Sequence, residues 1–410
     1  MSSVSGENNI SSFTLVELLI VIAILAILAA AVVIVINPGE MLAEARDSQR
    51  VTDIRSLKDA VDLFVLDNPG VSLGTSQVIS ISIPDTSATC ANISGLPTLP
   101  AGWSYRCVTA ANLKNLDSTG WLPINLTSIK GGSPLPSLPI DPDNTAITRY
   151  YQYIPGSTSG SYELTSLLES EKQSKIAAKD GGTDPGRLET GSDISLWKAA
   201  SGLQGYWPFE GIGNISDGQI TGLEDISGKN NNGTASNVNG IGMAFVSGKA
   251  GTAITLDATD DYVSQPITAE WIGIHKDAMS VSIWVKSNSI SSADMFFGEQ
   301  SPSDQRFYIG KNSSKWDFGI ATSGWGGGNV SVTSAWTHIA VTMNNGTATL
   351  YVNGQRSITK SYTVLTPTGA VSIGKLGSSN YYFNGLIDEV RIYDRSLSVS
   401  EVQAIYNANK

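Results

Sequence analysis

Histidine is nearly missing from this chain: only His275 and His338 occur among 410 residues. That is too few for a histidine-rich metal centre. Cysteine is as scarce, with Cys90 and Cys107 alone and no C-x-x-C or Cys/His cluster. Charged residues make up 15%, against roughly 25% in an ordinary soluble domain, and Gly, Ser, Thr and Asn fill the difference. Basic residues are the scarcer sign, 26 against 37 acidic, for a net charge of −11. Such a balance does not neutralise phosphates, which sets nucleic acid aside as the main partner. An E-x-D-x-x-E cluster, which would give one strand a hydrolytic carboxylate pair, does not occur either. The length exceeds what one core usually takes and predicts two folded units plus an anchor.

What is present begins with Leu18 to Ile36, an unbroken run of 19 apolar residues. As a helix at about 1.5 Å per residue it spans roughly one hydrocarbon core. A buried core helix or a signal-peptide segment would also be apolar. A signal peptide, however, has a basic n-region and a small-residue cleavage site after the run. Here residues 1–12 contain no Lys or Arg and include Glu7. Glu17 stands at the edge of the run, where a carboxylate costs several kcal/mol in lipid unless it is paired.

The stretch from Ser12 to Leu28, Ser-Phe-Thr-Leu-Val-Glu-Leu-Leu followed by Ile, Val, Ala and Leu, resembles the type IV pilin and pseudopilin signature. The resemblance implies cleavage by a prepilin peptidase between Ser12 and Phe13 and methylation of the new amine. It also implies that Glu17 pairs with an N-terminal amine during filament assembly. Ser12 stands where that family prefers glycine, so an uncleaved membrane anchor is the alternative.

Asn37-Pro38-Gly39 predicts a break in the helix. Helix then resumes with Val51, Ile54, Leu57, Val61 and Phe64 on one face and Arg46, Arg50, Arg55, Lys58 and Asp59 between them. Asn68-Pro69-Gly70 stops it. Strands are expected over 77–83, 150–153 and 162–165, giving an α+β unit with the helix covering one face. Cys90 and Cys107 read as one disulfide in an exported chain, the other reading being two buried thiols. Leu138-Pro139-Ile140-Asp141-Pro142-Asp143-Asn144 with Tyr150 and Tyr153 resembles a stretch of the major type II secretion pseudopilin. Asp141 and Asp143 read as turn caps before a strand more readily than as calcium ligands.

Short β-rich runs broken by Gly/Asn turns fill the last half of the chain, and Asn344-Asn345-Gly346 and Asn353-Gly354 mark hairpins. Tyr206-Trp207-Pro208-Phe209-Glu210, Asp225-Ile226-Ser227-Gly228 and Leu256 to Val263 occur in order. Val281 to Val285, Trp336 to Thr342, Leu350 to Gly354 and Asn384 to Tyr393 follow. Together they resemble the laminin G-like, concanavalin A-like jelly roll. That resemblance suggests a calcium ion held by Glu210, Asp225 and Asp388. Asp257, Asp260 and Asp261 read as turn residues. Trp325, held in Gly324-Trp325-Gly326-Gly327-Gly328, is the aromatic best placed to stack on a ligand.

The expected architecture is therefore multidomain. A leader (1–12) precedes a long pilin helix (13–69, with 13–36 transmembrane and later in the filament core). A small α+β pilin domain (70–170), a linker (171–200) and an all-β laminin G-like sandwich (201–410) follow. The reading is a non-enzymatic pilin-like subunit, minor or at the tip, that displays an adhesive domain. A secretion or uptake pseudopilin and a tethered lectin or glycan-active enzyme are the alternatives. Implied partners are other pilins, prepilin peptidase, an inner-membrane platform, an assembly ATPase and an extracellular glycan or surface protein. The expected location is the inner membrane first and a surface filament afterwards.

Overall fold

A computed structural model describes residues 15–144, 149–211, 213–216, 219–237, 243–265, 278–290, 293–300, 306–320, 324–362, 371–376 and 381–410. The Ser12–Phe13 cut lies outside them. Helix α1 (Leu15–Ile36) carries Glu17 in its first turn, and its described side chains, Leu15 to Leu28, are exposed. Among the described residues no helix is long and apolar enough to cross a membrane; the apolar run of the sequence continues past Leu28, beyond those side chains. The expected break falls at Asn37, which takes a left-handed conformation (φ 44°), and Pro38 opens α2 (Pro38–Asp67). Proline suits that position because a first-turn N–H has no helical partner to lose.

Ile54, Leu57, Ala60, Val61 and Phe64 of α2 are buried, the three- and four-residue spacing that puts one face against a sheet. Asn68 ends the helix by donating from both its backbone N and Nδ2 to Phe64 O. The sheet under α2 has the order β2-β1-β3-β4-β5. Its strands are β1 (Val78–Pro84), β2 (Ser104–Val108), β3 (Tyr151–Pro155), β4 (Tyr162–Leu167) and β5 (Arg187–Gly191). β1 and β2 run parallel and the other neighbours antiparallel. Trp121, Tyr151, Tyr153 and Tyr162 fill the space between helix and sheet. A disulfide joins Cys107 of β2 to Cys90 in the loop between β1 and β2.

Two expectations need correction. Arg50 does not face solvent: it is fully buried, with Nε and Nη2 donating to Asp141 (2.8 and 2.9 Å) and Nη1 to Asp47 (2.7 Å) and Glu169 (2.6 Å). Asp141 does cap a turn, accepting from Asp143 N at 2.8 Å, but its carboxylate is also met by Arg50. Residues 171–200 are not a free linker. They form α3 (Glu171–Ala177), β5 and α4 (Leu196–Ala200). The Asp180–Gly186 breaker cluster between α3 and β5 is closed by Glu189 Oε2, which accepts from Thr183 N and Asp184 N.

The second unit is a two-sheet sandwich. In chain order its strands begin with β6 (Leu203–Trp207), β7 (Gly213–Ser216), β8 (Gln219–Leu223), β9 (Gly233–Ser236), β10 (Phe245–Ser247) and β11 (Thr252–Asp257). Next come β12 (Tyr262–Gln265), β13 (Ala278–Ser287), β14 (Asp294–Gln300), β15 (Arg306–Asn312) and β16 (Lys315–Ile320). The last are β17 (Thr337–Asn344), β18 (Thr347–Val352), β19 (Gln355–Ser361), β20 (Val371–Ile373) and β21 (Asn384–Tyr393), before the closing helix α5 (Val399–Ala408). One sheet runs β10-β11-β21-β13-β17-β18-β19 with β6 also on β21; the other runs β16-β15-β14-β20-β12-β9-β8-β7. Both hairpin signals are turns with positive φ, at Asn345 (42°) and Gly346 (78°) and at Asn353 (50°) and Gly354 (72°), as a twisted two-residue connection requires. Trp207, Val281, Ile283, Phe296, Phe318, Ile339 and Ile387 are among the side chains packed between the sheets. At about 1.5–3 kcal/mol for each large apolar side chain removed from water, this core is the main source of stability.

The two units are docked. Glu401 of α5 receives Arg395 at 2.7 and 3.0 Å and Arg187 of β5 at 3.4 Å, all nearly inaccessible to water. Asn407 Nδ2 donates to Glu169 O, and Lys410 pairs with Glu171 of α3.

Candidate metal centre

Strand β21 is the backbone of the site. Along one edge it pairs with β11 from Asn384 to Ile387 and with β6 from Val390 to Tyr393. Asp388 and Glu389 therefore occupy the gap where the ends of two different strands meet, and Glu389 takes a positive φ of 55° there. The chain leaving β6 brings Glu210 to this gap, and the turn entering β11 brings residues 248–252.

Asp388 is fully buried. Its Oδ2 accepts from Lys249 N (2.8 Å) and Ala250 N (3.0 Å), while among the described residues Oδ1 has no hydrogen-bond partner. Burial raises its carboxyl, the nearby Glu389 and Glu210 charges add to this against the two backbone donors, and the result is about 8. Glu210 accepts from Thr252 N (3.2 Å) through Oε2, and burial likewise raises its carboxyl. The turn is shaped around both acids. A Cβ on Gly251 would come within 1.9 Å of Glu210 Oε2, and one on Gly248 within 2.6 Å of Asp388 Oδ2. Two carboxylates closing on one glycine-bearing turn, with an orphaned buried oxygen, fit a hard cation that takes carboxylate and carbonyl oxygens. Glu210, Lys249 and Gly251 also line a cavity of about 580 Å³ together with Lys175, Lys179 and Lys410.

Asp225 does not join this set. Its Oδ1 accepts from Tyr206 N and Ser227 N (both 2.8 Å), and its Oδ2 from Ser227 Oγ (2.7 Å) and Asn231 N (2.8 Å). Every acceptor position is used, so Asp225 anchors the turn after β8 and has nothing left for an ion. Glu389 points elsewhere too, receiving Arg391 (2.5 Å), the Tyr206 hydroxyl (3.1 Å) and Asn409 Nδ2 (3.0 Å).

Trp325 lies on the outer side of the second sheet. Its ring meets Tyr308 edge-on at 4.9 Å and packs beside Met295 and Leu376, leaving it half-exposed. The neighbouring glycines have a local cause that their sequence did not disclose. Buried Asp317 accepts from Gly326 N (3.0 Å) and Gly327 N (3.1 Å), and a Cβ on Gly328 would lie 1.8 Å from Trp316 O.

Residues 8–33 match the family model of the prokaryotic N-terminal methylation motif, and residues 257–403 that of the concanavalin A-like lectin/glucanases superfamily. No curated protein matches the chain. Among solved structures it is similar to domain 4 of AbnA, an extracellular GH43 arabinanase from Geobacillus stearothermophilus, in complex with arabinotriose. That likeness has 25% identity and TM-score 0.38 and covers 50% of this chain and 97% of that one. It is also similar to the botulinum neurotoxin serotype D/C binding domain, at 15% identity and TM-score 0.40, covering 51% of this chain and 52% of that one. A third is a Trypanosoma rangeli sialidase in complex with 2,3-difluorosialic acid, at 12% identity and TM-score 0.41, covering 63% of this chain and 48% of that one. The chain spans about half the length of the latter two.

Proposed function

We propose that this chain, which joins a prepilin N-methylation motif to a laminin G-like sandwich, is a subunit of a type IV pilin-like filament. In this reading the sandwich is displayed for adhesion to a glycan or surface protein. The observation that carries it is Glu17 in the first turn of an otherwise apolar α1, a carboxylate that is costly in lipid and useful where an amine meets it. Residues 13–36 cross the inner membrane before assembly and afterwards fill a dry filament core. Prepilin peptidase, an inner-membrane platform, an assembly ATPase and other pilins are the partners. A sandwich this bulky suits a minor or tip subunit. It binds rather than hydrolyses, because Asp388 turns to residues 249–250 while Glu389 turns to Arg391. Half-exposed Trp325 offers its ring to a sugar face.

The native protein is expected to begin at Phe13 by mass spectrometry, and Glu17→Ala subunits to disappear from sheared filaments. An intact Met1 leader with no filament association would leave a tethered binding protein instead.

Glu210, Asp388 and the carbonyls of the 248–252 turn would hold a calcium ion. Calcium at a hundredfold excess over its Kd is then expected to stabilise the fold by about 2.7 kcal/mol, and this gain to vanish in Glu210→Gln and Asp388→Asn. Thermal unfolding with and without chelator measures it, and an equal calcium-dependent gain in both variants would refute the site.

A further inference from the structure

The turn joining β11 to β12 holds a second group of acids. Thr259 N donates to Asp257 Oδ1 (2.8 Å) and Asp257 N donates to Asp261 Oδ2 (3.0 Å). These are turn bonds of the kind expected of Asp257 and Asp261. The turn alone leaves the rest of the arrangement unexplained. Asp257, Asp260 and Asp261 each place one carboxylate oxygen within 4.8 Å of the other two. Asp261 is fully buried, and among the described residues its Oδ1 has no hydrogen-bond partner. With Oδ2 spent on Asp257 N, Oδ1 is the oxygen of this residue that a ligand can take. Like charges gathered at this range and withdrawn from water repel one another unless a cation or a proton comes between them.

We propose that Asp257, Asp260 and Asp261 form a second divalent-cation site, of calcium type, in the β11–β12 turn, with Asp261 Oδ1 as its buried ligand. The donor set is all oxygen, which selects a hard ion over zinc or copper. The ion fixes the start of β12 and with it Tyr262, whose ring neighbours Tyr382 at 6.4 Å beside the half-exposed Tyr381. It shares no ligand with the Glu210–Asp388 centre, so either site stands without the other.

The test uses the full chain in detergent, stripped with chelator and titrated with calcium by calorimetry. Terbium serves as a luminescent stand-in excited through tyrosine, which Tyr262 places next to the proposed ligands. In a Glu210→Gln background one calcium site is expected to remain. Adding Asp260→Asn or Asp261→Asn is expected to weaken it by more than about tenfold and to quench the terbium signal, since charge count sets affinity at such sites. Asp260→Asn alters a partly exposed side chain and guards against loss of folding at Asp261. A folded Asp260→Asn protein that keeps its calcium and terbium response overturns the site. So does a Glu210→Gln protein that binds no calcium at all, which would leave the turn as acids sharing a proton.

Discussion

Glu401→Ala is expected to cost about 3–5 kcal/mol, the range for removing one partner of a buried ion pair. Burial alone would raise the Glu401 carboxyl, but Arg395 and Arg187 outweigh it and hold it near 2. Truncation leaves two buried guanidiniums, from different units of the chain, facing each other without the charge between them. It also removes the capping box that starts α5, in which Ser398 Oγ and Glu401 exchange bonds with each other's backbone N–H. The loss therefore falls on the junction more than on either core. Thermal unfolding of the full chain should show one transition for the wild type and an earlier, separate one for the variant. Glu401→Gln, which keeps shape and some bonding but not charge, should fall between them. A loss below about 1 kcal/mol would mean that the pair behaves as an exposed one and that the units are only loosely apposed.

Arg50→Ala is the second large effect, again about 3–5 kcal/mol, now inside the pilin-like unit. Arg50 is met by Asp141, Asp47 and Glu169 at 2.6 to 2.9 Å. Without it the nearest other guanidinium to Glu169 is Arg46, bidentate at 2.6 and 2.8 Å, while Arg149 stands 3.8 Å away. Asp141 and Asp47 would be left charged in the interior. Because the cost lies in stranded carboxylates, adding Asp141→Ala to Arg50→Ala should cost less than the sum of the single changes, which a double-mutant cycle reads directly. The acid limb of stability gives a second readout. Burial alone would raise the Glu169 carboxyl, but hydrogen bonds from Arg46 and Arg50 hold it near 2. A carboxyl depressed by folding contributes stability above its unfolded value of 4.5, and that stability is lost as pH falls toward 2. The variant should show a shallower loss across this window.

Local signals were legible in the sequence wherever one residue type has a single cheap conformation. Asn37-Pro38 breaks the helix, Asn345-Gly346 and Asn353-Gly354 turn hairpins, and the three- and four-residue spacing of Ile54, Leu57, Val61 and Phe64 marks a buried face. What could not be read depends on partners far along the chain. Arg50 and Arg187 look like solvated charges because Asp141, Glu169 and Glu401, which help to neutralise them, lie 91 to 214 residues away. β5 is hidden in the same way: its charged residues follow a Gly/Asp cluster and gain burial only when α2, α3, β4 and α5 pack around it. Of the proposed metal centre, Glu210 and Asp388 are what the resemblance implies, while the 248–252 turn is silent in the sequence because backbone donors leave no side-chain signature. Gly248 and Gly251 were the available hint. Asp225 was misplaced because an acid that anchors a turn and an acid that binds an ion look the same until their acceptors are counted.

The docking of α5 on β5 also fixes an order of events. Arg187 and Glu401 stand 214 residues apart, so their meeting closes a very long loop, and contacts of that span form after local ones. The pilin-like sheet can assemble early with Arg187 still hydrated. Asp184 can meet Arg187 locally at 3.3 Å, and only a finished sandwich, its last strand and helix in place, delivers Glu401 as the second carboxylate. Closure of the junction thus reports that the sandwich has folded, which makes it a checkpoint on the chain as a whole.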